Sequence, residues 1–191
     1  TVTILEGGTT LGQATVGVNG AYSLVVVTMA DGSHTLRAKA TDDAGNISSA
    51  STALVVVVDT VDPAVPTLTG TSPSSTSTPV ISGVAEANAT VTILAGGQAL
   101  GQATADAGGN YTFTPGSPLG DGTHLLSATA TDAAGNTGTA SAVFSLLIDT
   151  GVPGSPMLSV TQAITNDNKP VIGGTAEAGS TVSIYRGNTQ L

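Results

Sequence analysis

The stretch that decides the fold is TVTILEGGTTLGQATV at residues 1–16, because it returns as TVTILAGGQALGQATA at residues 90–105. Of these 16 positions, 12 are identical. Two further pairs share the spacing: ADGSHTLRAKATDDAGN at 30–46 with GDGTHLLSATATDAAGN at 120–136, and STPVISGVAEANATVTIL at 77–94 with NKPVIGGTAEAGSTVSIY at 168–185. The chain therefore has a period of about 90 residues, and a fixed period is the signature of a repeat architecture.

Two proline-containing segments lie one period apart and divide the chain. They are DTVDPAVP at 59–66 and DTGVPGSP at 149–156, and proline restricts the backbone enough to make a short linker stiff. We predict one complete repeat over residues 61–150. Residues 1–60 would form the C-terminal part of a preceding repeat, and residues 151–191 the N-terminal part of the next one. On this interpretation the chain is a window on a longer array.

Short runs of alternating apolar and polar residues fill the complete repeat, with Gly, Asn, Asp and Pro between them, and this pattern is typical of an all-β sandwich. We predict seven strands, at Thr67–Gly70, Val80–Ala85, Thr90–Leu94, Leu100–Ala105, Tyr111–Thr114, His124–Asp132 and Ala140–Asp149. The expected fold is all-β, with tandem immunoglobulin-like seven-strand sandwiches arranged head to tail.

Composition excludes several classes of protein. The net charge is −9 with only four Lys and Arg residues, so the chain is unsuited to neutralising nucleic-acid phosphates. No apolar stretch reaches the ~18 residues of a membrane-spanning helix, and without Cys there is neither a disulfide nor a Cys zinc site. Aromatic residues make up 3% of the chain, and no nucleophile motif such as Gly-x-Ser-x-Gly occurs. We therefore predict no enzymatic activity, no nucleic-acid partner and no membrane insertion.

Acidic residues are the clearest chemical signal. The complete repeat contains six of them and no Lys or Arg, so none can form an ion pair with a Lys or Arg of its own repeat. In an Ig-type sandwich, the loops after the second, fourth and sixth strands meet at one end, and the loop after the fifth lies at the other. Head-to-tail stacking would therefore gather carboxylates at each junction, and clustered oxygen ligands favour Ca²⁺. The predicted ligands are Asp31, Asp59, Glu86, Asp106 and Asp132 at the first junction, and Asp121, Asp149 and Glu177 at the second.

A second role for these acids stays open, because Asp and Asn side chains also stabilise turns through their own backbone. Recurrence of Asp31 as Asp121, and of Asp59 as Asp149, favours the metal role without excluding the turn role. Asp106 has a weaker case, since its counterpart is Gly17. His34 and His124 recur before the sixth strand, where Ig-type sandwiches often carry a Tyr that bonds to backbone upstream, and we predict the same structural role for them.

Several motifs together resemble the bacterial Ig-like repeats of giant surface adhesins and biofilm-associated proteins. They are Pro-Val-Ile-x-Gly-x-Ala-Glu-Ala at 79–87, Thr-Val-x-Ile at 90–93, Asp-Gly-Thr-His at 121–124 and Ala-Thr-Asp-Ala-Ala-Gly-Asn at 130–136. The resemblance implies an extracellular protein of the bacterial cell surface or biofilm matrix. It also implies repeats that act as extenders for a distal adhesive domain, with calcium ions stiffening the junctions between them.

Three functional hypotheses follow. The leading one is a calcium-rigidified spacer whose partners are neighbouring repeats of the same chain. The second is a module that binds a glycan, ice or a host protein, which would require an exposed aromatic cluster or an inserted loop. The third is self-assembly by strand complementation, because residues 151–180 contain the two strands that residues 1–60 lack.

Overall fold

The computed structural model describes residues 1–160 and 166–191, and the only regular secondary structure in them is β. The strands are β1 (Val2–Glu6), β2 (Thr9–Ala14), β3 (Gly32–Ala40), β4 (Leu54–Val58), β5 (Thr69–Gly70), β6 (Ile81–Val84), β7 (Thr90–Ala95), β8 (Gln98–Thr104), β9 (Asn110–Phe113), β10 (Gly122–Thr131), β11 (Phe144–Ile148), β12 (Met157–Val160), β13 (Ile172–Thr175), β14 (Tyr185–Arg186) and β15 (Thr189–Gln190). The all-β prediction is confirmed. No helix in these described ranges is long and apolar enough to cross a membrane.

Strands β5 to β11 of the complete repeat form two antiparallel sheets. One has the order β5-β6-β9, and the other has the order β11-β10-β7-β8. All seven predicted strands are present, although the last one starts at Phe144 and not at Ala140. The cause is Ser141, whose backbone N–H donates to the Ala128 carbonyl (2.8 Å) while its hydroxyl accepts from the Ala128 N–H (3.0 Å). A side chain thus replaces a backbone carbonyl beside β10, and regular pairing begins only afterwards.

The core lies between these two sheets. Its buried side chains alternate with more exposed ones along β7, β9, β10 and β11, as a two-layer sandwich requires. They include Ile81, Tyr111 and Phe113 from the first sheet, and Val91, Ile93, Leu126, Ala128, Leu146 and Ile148 from the second. The sheets approach each other closely at Gly101, where a Cβ atom would lie 2.5 Å from the Phe113 ring.

One contact closes the sandwich along its edge. Ser74, which precedes the second strand of the repeat, forms a parallel bridge with Ile148 of β11. The Ser74 N–H donates to the Leu147 carbonyl (2.8 Å), and the Asp149 N–H donates to the Ser74 carbonyl (2.9 Å). The beginning of the repeat is therefore hydrogen-bonded directly to its last strand.

The flanking segments each contain part of a sandwich, with one layer in residues 1–60 and counterparts of strands from both layers in the described residues after 150. Residues 1–60 form a single sheet with the order β2-β1-β3-β4, which corresponds strand for strand to the β8-β7-β10-β11 sheet. Val2 and Leu36 on it are buried, but Leu54 is 62% exposed. In the last segment β12 pairs with β13 and β14 with β15, and the apolar side chain of Ile172 is 40% exposed.

Candidate functional site

Two of the predicted calcium ligands lie in the loops that precede β3 and β10. Each forms hydrogen bonds to the residue that follows the last strand of its repeat by two positions. The Asp31 carboxylate accepts hydrogen bonds from the Thr60 backbone N–H (3.0 Å) and hydroxyl (2.9 Å). Asp121 accepts the same pair from Thr150, at 3.1 and 2.8 Å. Both repeats therefore fasten the start of the following linker to the same loop.

Asp59 and Asp149 begin those linkers. Each carboxylate accepts a hydrogen bond from the backbone N–H two residues later, Asp59 from Val61 and Asp149 from Gly151, both at 3.1 Å. This is the Asx turn that a short acidic side chain readily makes. It fixes the direction in which the chain leaves the strand.

Asp132 organises the turn between β10 and β11, residues 132–136, which we call the DAAGN turn. Its Oδ1 accepts from the backbone N–H groups of Gly135 (2.7 Å) and Asn136 (2.9 Å). Its Oδ2 accepts from the Asn136 side-chain amide at 2.8 Å. These bonds, the side-chain bond from Asn136 first, favour the ionised carboxylate and lower the pKa of Asp132.

Asp106 has a similar role in the turn between β8 and β9. Its carboxylate accepts from the Asn110 N–H at 2.8 Å, and that backbone bond is the main cause that lowers the pKa of Asp106. The loop that contains Glu86 lies beside it, since the Asn88 N–H donates to the Asp106 carbonyl at 3.3 Å. The backbone carbonyls of Glu86 and Glu177 both accept N–H groups three residues later, at 3.1 Å.

The predicted calcium ligands do not form a cluster of carboxylates in the described residues. Ca²⁺ takes six to eight oxygen ligands, yet in the ranges 1–160 and 166–191 no three His, Cys, Asp or Glu side chains lie together as a metal site would need. Asp59, Asp106, Asp132 and Asp149 bond to their own turns, which matches the second role that the sequence left open, whereas Asp31 and Asp121 bond to the linkers. Calcium at the junctions stays a prediction.

The contact that joins the two repeats comes from a residue that the sequence analysis did not select. The Asn136 side-chain Nδ2 donates to the Asp59 backbone carbonyl at 3.0 Å, in addition to its bond with Asp132 Oδ2. It connects the DAAGN turn of the complete repeat to the linker at residues 59–66, which we call the first linker. The available signal was the recurrence of Asn136 as Asn46 in the same motif.

The first linker packs against the complete repeat. Both of its prolines, Pro63 and Pro66, are buried. Gly138, two residues after the DAAGN turn, is also buried, and a Cβ atom there would lie 2.3 Å from the Pro63 carbonyl oxygen. The first repeat has Ser48 at this position, so the missing side chain of Gly138 is what lets the linker approach.

The structural role predicted for the two histidines is confirmed. His34 Nε2 bonds to the Ala30 carbonyl and His124 Nε2 to the Gly120 carbonyl, each four residues upstream and each at 2.8 Å. His34 makes one more contact, from Nδ1 to Glu6 Oε1 at 2.9 Å. Both rings thus tie the loop before the long central strand to that strand.

Comparison with known proteins agrees with this geometry. The family described as bacterial Ig-like domain matches residues 1–60 and 68–150. The chain belongs to this family. No curated protein matches it. A crystal structure of a tetra-tandem repeat in the extending region of a large adhesion protein is 26% identical, with a TM-score of 0.42, over 92% of this chain and 47% of that one. The chain thus spans about half the length of that structure.

The aromatic residues of the complete bacterial Ig-like repeat all serve its interior. Tyr111 and Phe113 are buried, and the Tyr111 hydroxyl donates to the Thr67 carbonyl at 2.6 Å. Burial raises the pKa of Tyr111 to about 12. Phe144 is half-buried beside Gly70. Residues 61–150, all of which are described, therefore present no exposed aromatic cluster of the kind that the ligand-binding hypothesis requires.

Proposed function

We propose that this chain is an extender segment of a large bacterial surface protein, a non-enzymatic rod of Ig-like repeats that carries a distal adhesive domain away from the cell for attachment or biofilm formation. The observation that carries the proposal is the packed first linker. The complete repeat buries both prolines of the linker before it and forms a hydrogen bond to the residue that follows β4. Such packing would fix the orientation of one repeat relative to the next.

The surface of the complete repeat supports the same role. It has no Lys or Arg, and its aromatic side chains are withdrawn into the core. Such a surface offers little to recognise a ligand with, which suits a part whose task is to supply length. The longest strand, β10, has 10 residues, and a rise of ~3.3 Å for each gives roughly 35 Å per repeat, so an array of tens of units would reach well beyond the cell envelope.

The proposal is tested with four polypeptides, which are residues 59–150 alone and residues 59–150 followed by one, two or three further copies of residues 61–150. Small-angle X-ray scattering gives the maximum dimension of each. For a rod we expect equal increments of length with every added copy. A dimension that grows ever more slowly with copy number would describe a flexible string and would contradict the spacer role as stated.

Calcium is tested with the same series. Each polypeptide is measured in Ca²⁺ and in a chelator, by scattering and by thermal unfolding. The predicted calcium stiffening requires that Ca²⁺ lengthen the multi-copy particles and raise their unfolding temperature, and that Asp59→Ala and Asp149→Ala remove both effects. Identical curves in the two buffers would refute calcium binding while leaving the spacer proposal intact.

A further inference from the structure

We propose that the Asn136 side chain is a metal-free lock, which holds the DAAGN turn of the complete repeat onto the first linker and so fixes the angle between the two repeats. The biological meaning of this lock rests on the proposed spacer function, but the contact itself does not. A neutral amide, and not the surrounding carboxylates, would then hold the two repeats at a fixed angle.

The lock is built from matched donors and acceptors. A side-chain amide has two N–H hydrogens, and Asn136 Nδ2 has two acceptors within reach, Asp132 Oδ2 at 2.8 Å and the Asp59 carbonyl at 3.0 Å. One acceptor belongs to the DAAGN turn and the other to the first linker. The Asp132 carboxylate is itself held by two backbone N–H groups of that turn, so the amide is oriented before it contacts the linker.

The chemistry of this contact opposes a cation at the same place. Ca²⁺ needs oxygen ligands, whereas the group that faces the Asp132 carboxylate and the Asp59 carbonyl is a nitrogen that donates hydrogen bonds. Asp132 has no Lys or Arg within the complete repeat, and the hydrogen bonds of the turn take the place of a counter-ion. Two chain segments that are 77 residues apart are thereby joined without added charge.

Packing next to the amide supports the lock independently. Gly138 gives the Pro63 carbonyl room that a side chain would fill, and both Pro63 and Pro66 are buried. The first repeat contains the same motif, but the counterpart of the first linker that it would contact lies outside the 191 residues. Asn46 donates to Asp42 Oδ2 at 2.8 Å but is exposed, whereas Asn136 is half-buried. Asn46 is therefore a matched control for Asn136 within the same chain.

The test is the distribution of distances between the two repeats. The chain has no Cys, so Thr10→Cys and Ser117→Cys, both at exposed positions, place one spin label on each repeat. Double electron–electron resonance is recorded on the 191-residue chain in chelator, diluted into unlabelled chain so that only intramolecular pairs contribute. Gln98→Cys with Ser117→Cys, both within the complete repeat, gives the width expected from label motion alone.

In chelator, we expect the distribution of distances between the repeats to be nearly as narrow as the distribution of the control pair. Addition of Ca²⁺ should leave its width unchanged. Asn136→Ala should lose this narrow distribution, while Asn46→Ala should keep it. Gly138→Ser, which introduces the residue of the first repeat, should broaden the distribution by displacing the linker while Asn136 remains. Circular dichroism of each variant verifies that the strands are retained.

Two results would overturn the lock. One is a broad distribution in chelator that narrows when Ca²⁺ is added, because the junction would then be held by metal. The other is an Asn136→Ala distribution as narrow as that of Asn46→Ala, because the amide would then have no part in fixing the angle. Neither result depends on whether the array serves as a spacer, which the copy-number series tests separately.

Discussion

His34 and His124 occupy the same position in two repeats, but only His34 faces an acceptor on each side of its ring. Nε2 meets the Ala30 carbonyl and Nδ1 meets Glu6, and only the protonated ring donates from both nitrogens. The bond to Ala30 first, and then Glu6, raise the pKa of His34 above its usual 6.5. Glu6 on β1 is the charged group in contact, with Asp31 in the adjoining loop and Asp59 after β4 as further acids.

A raised pKa makes the stability of the first repeat depend on pH. The stabilisation by His34 is fully present below its unfolded value of 6.5 and is lost as the pH rises through the higher folded value. Glu6→Ala, which installs the residue found at Ala95, should therefore lower the unfolding temperature at about pH 5.5 more than at about pH 8. NMR titration of the His34 ring should show a lower pKa in the variant. An unchanged pKa would mean that Glu6 does not contribute.

The sequence predicted the location of the acidic residues better than their contacts. Asp31 and Asp121 do lie beside the linkers, as Ig-type loop positions require. The sequence left the metal role and the turn role of the acids open, and Asp59 and Asp132 take the turn role, because a short side chain reaches its own backbone before it reaches another loop. The bond from Asn136 to Asp59 could not be derived at all, since it depends on how two folded units pack and not on any local pattern.

Among the strands, the close contact of β8 with β9 across the core predicts that a larger residue at Gly101 is destabilising. A Cβ atom on Gly101 would lie 2.5 Å from the Phe113 ring, so the ring or the strand must move in Gly101→Ala. We expect this overpacking to reduce the free energy of unfolding by about 1–3 kcal/mol. Urea denaturation followed by circular dichroism measures the change.

The matched control for this variant is Gly116→Ala. A Cβ atom there meets no atom within 4 Å, and its effect should stay within about 0.5 kcal/mol. If the two variants unfolded at the same urea concentration, the close approach of the sheets at Gly101 would not limit packing, and Phe113 would have room that its geometry does not show.

Strand positions were predicted from the sequence because each strand has its own local signal. Alternation of apolar residues located β10 and β7, whose inward side chains form the core. The start of β11 was predicted four residues too early, at Ala140 and not Phe144, because Ser141 looks like an ordinary strand residue in sequence. Its hydroxyl replaces a backbone partner of Ala128, and a substitution of that kind has no periodic signature.

At the scale of the whole molecule, the β12–β13 pair and the β1–β4 sheet correspond to opposite layers of the complete repeat. The β12–β13 pair has the sequence phase of β5–β6, and Ile172 corresponds to Ile81, which is fully buried. We therefore expect the 191-residue polypeptide to associate head to tail, with β12–β13 of one copy covering the β1–β4 sheet of another. Light scattering over a concentration series should show a mass that increases with concentration.

A pair of adjacent substitutions distinguishes this pairing from nonspecific adhesion. Ile172→Asp puts a charge on the face that would be covered and should abolish the association. Val171→Asp puts the same charge on the opposite face, where Val171 is 76% exposed and its counterpart Val80 is exposed as well, and should leave association intact. A wild-type chain that remains monomeric at every concentration would contradict the prediction.

The parallel bridge between Ser74 and β11 has a consequence for a protein that is pulled. Tension applied through the two linkers draws the start of the repeat and its last strand in opposite directions. Because Ser74 runs parallel to Ile148 and is bonded to it on both sides, these hydrogen bonds are sheared together and not peeled one at a time. These two hydrogen bonds should therefore make the complete repeat resist unfolding by a stretching force. Ser74→Pro removes one of the two N–H donors, and it should lower the unfolding force in single-molecule stretching.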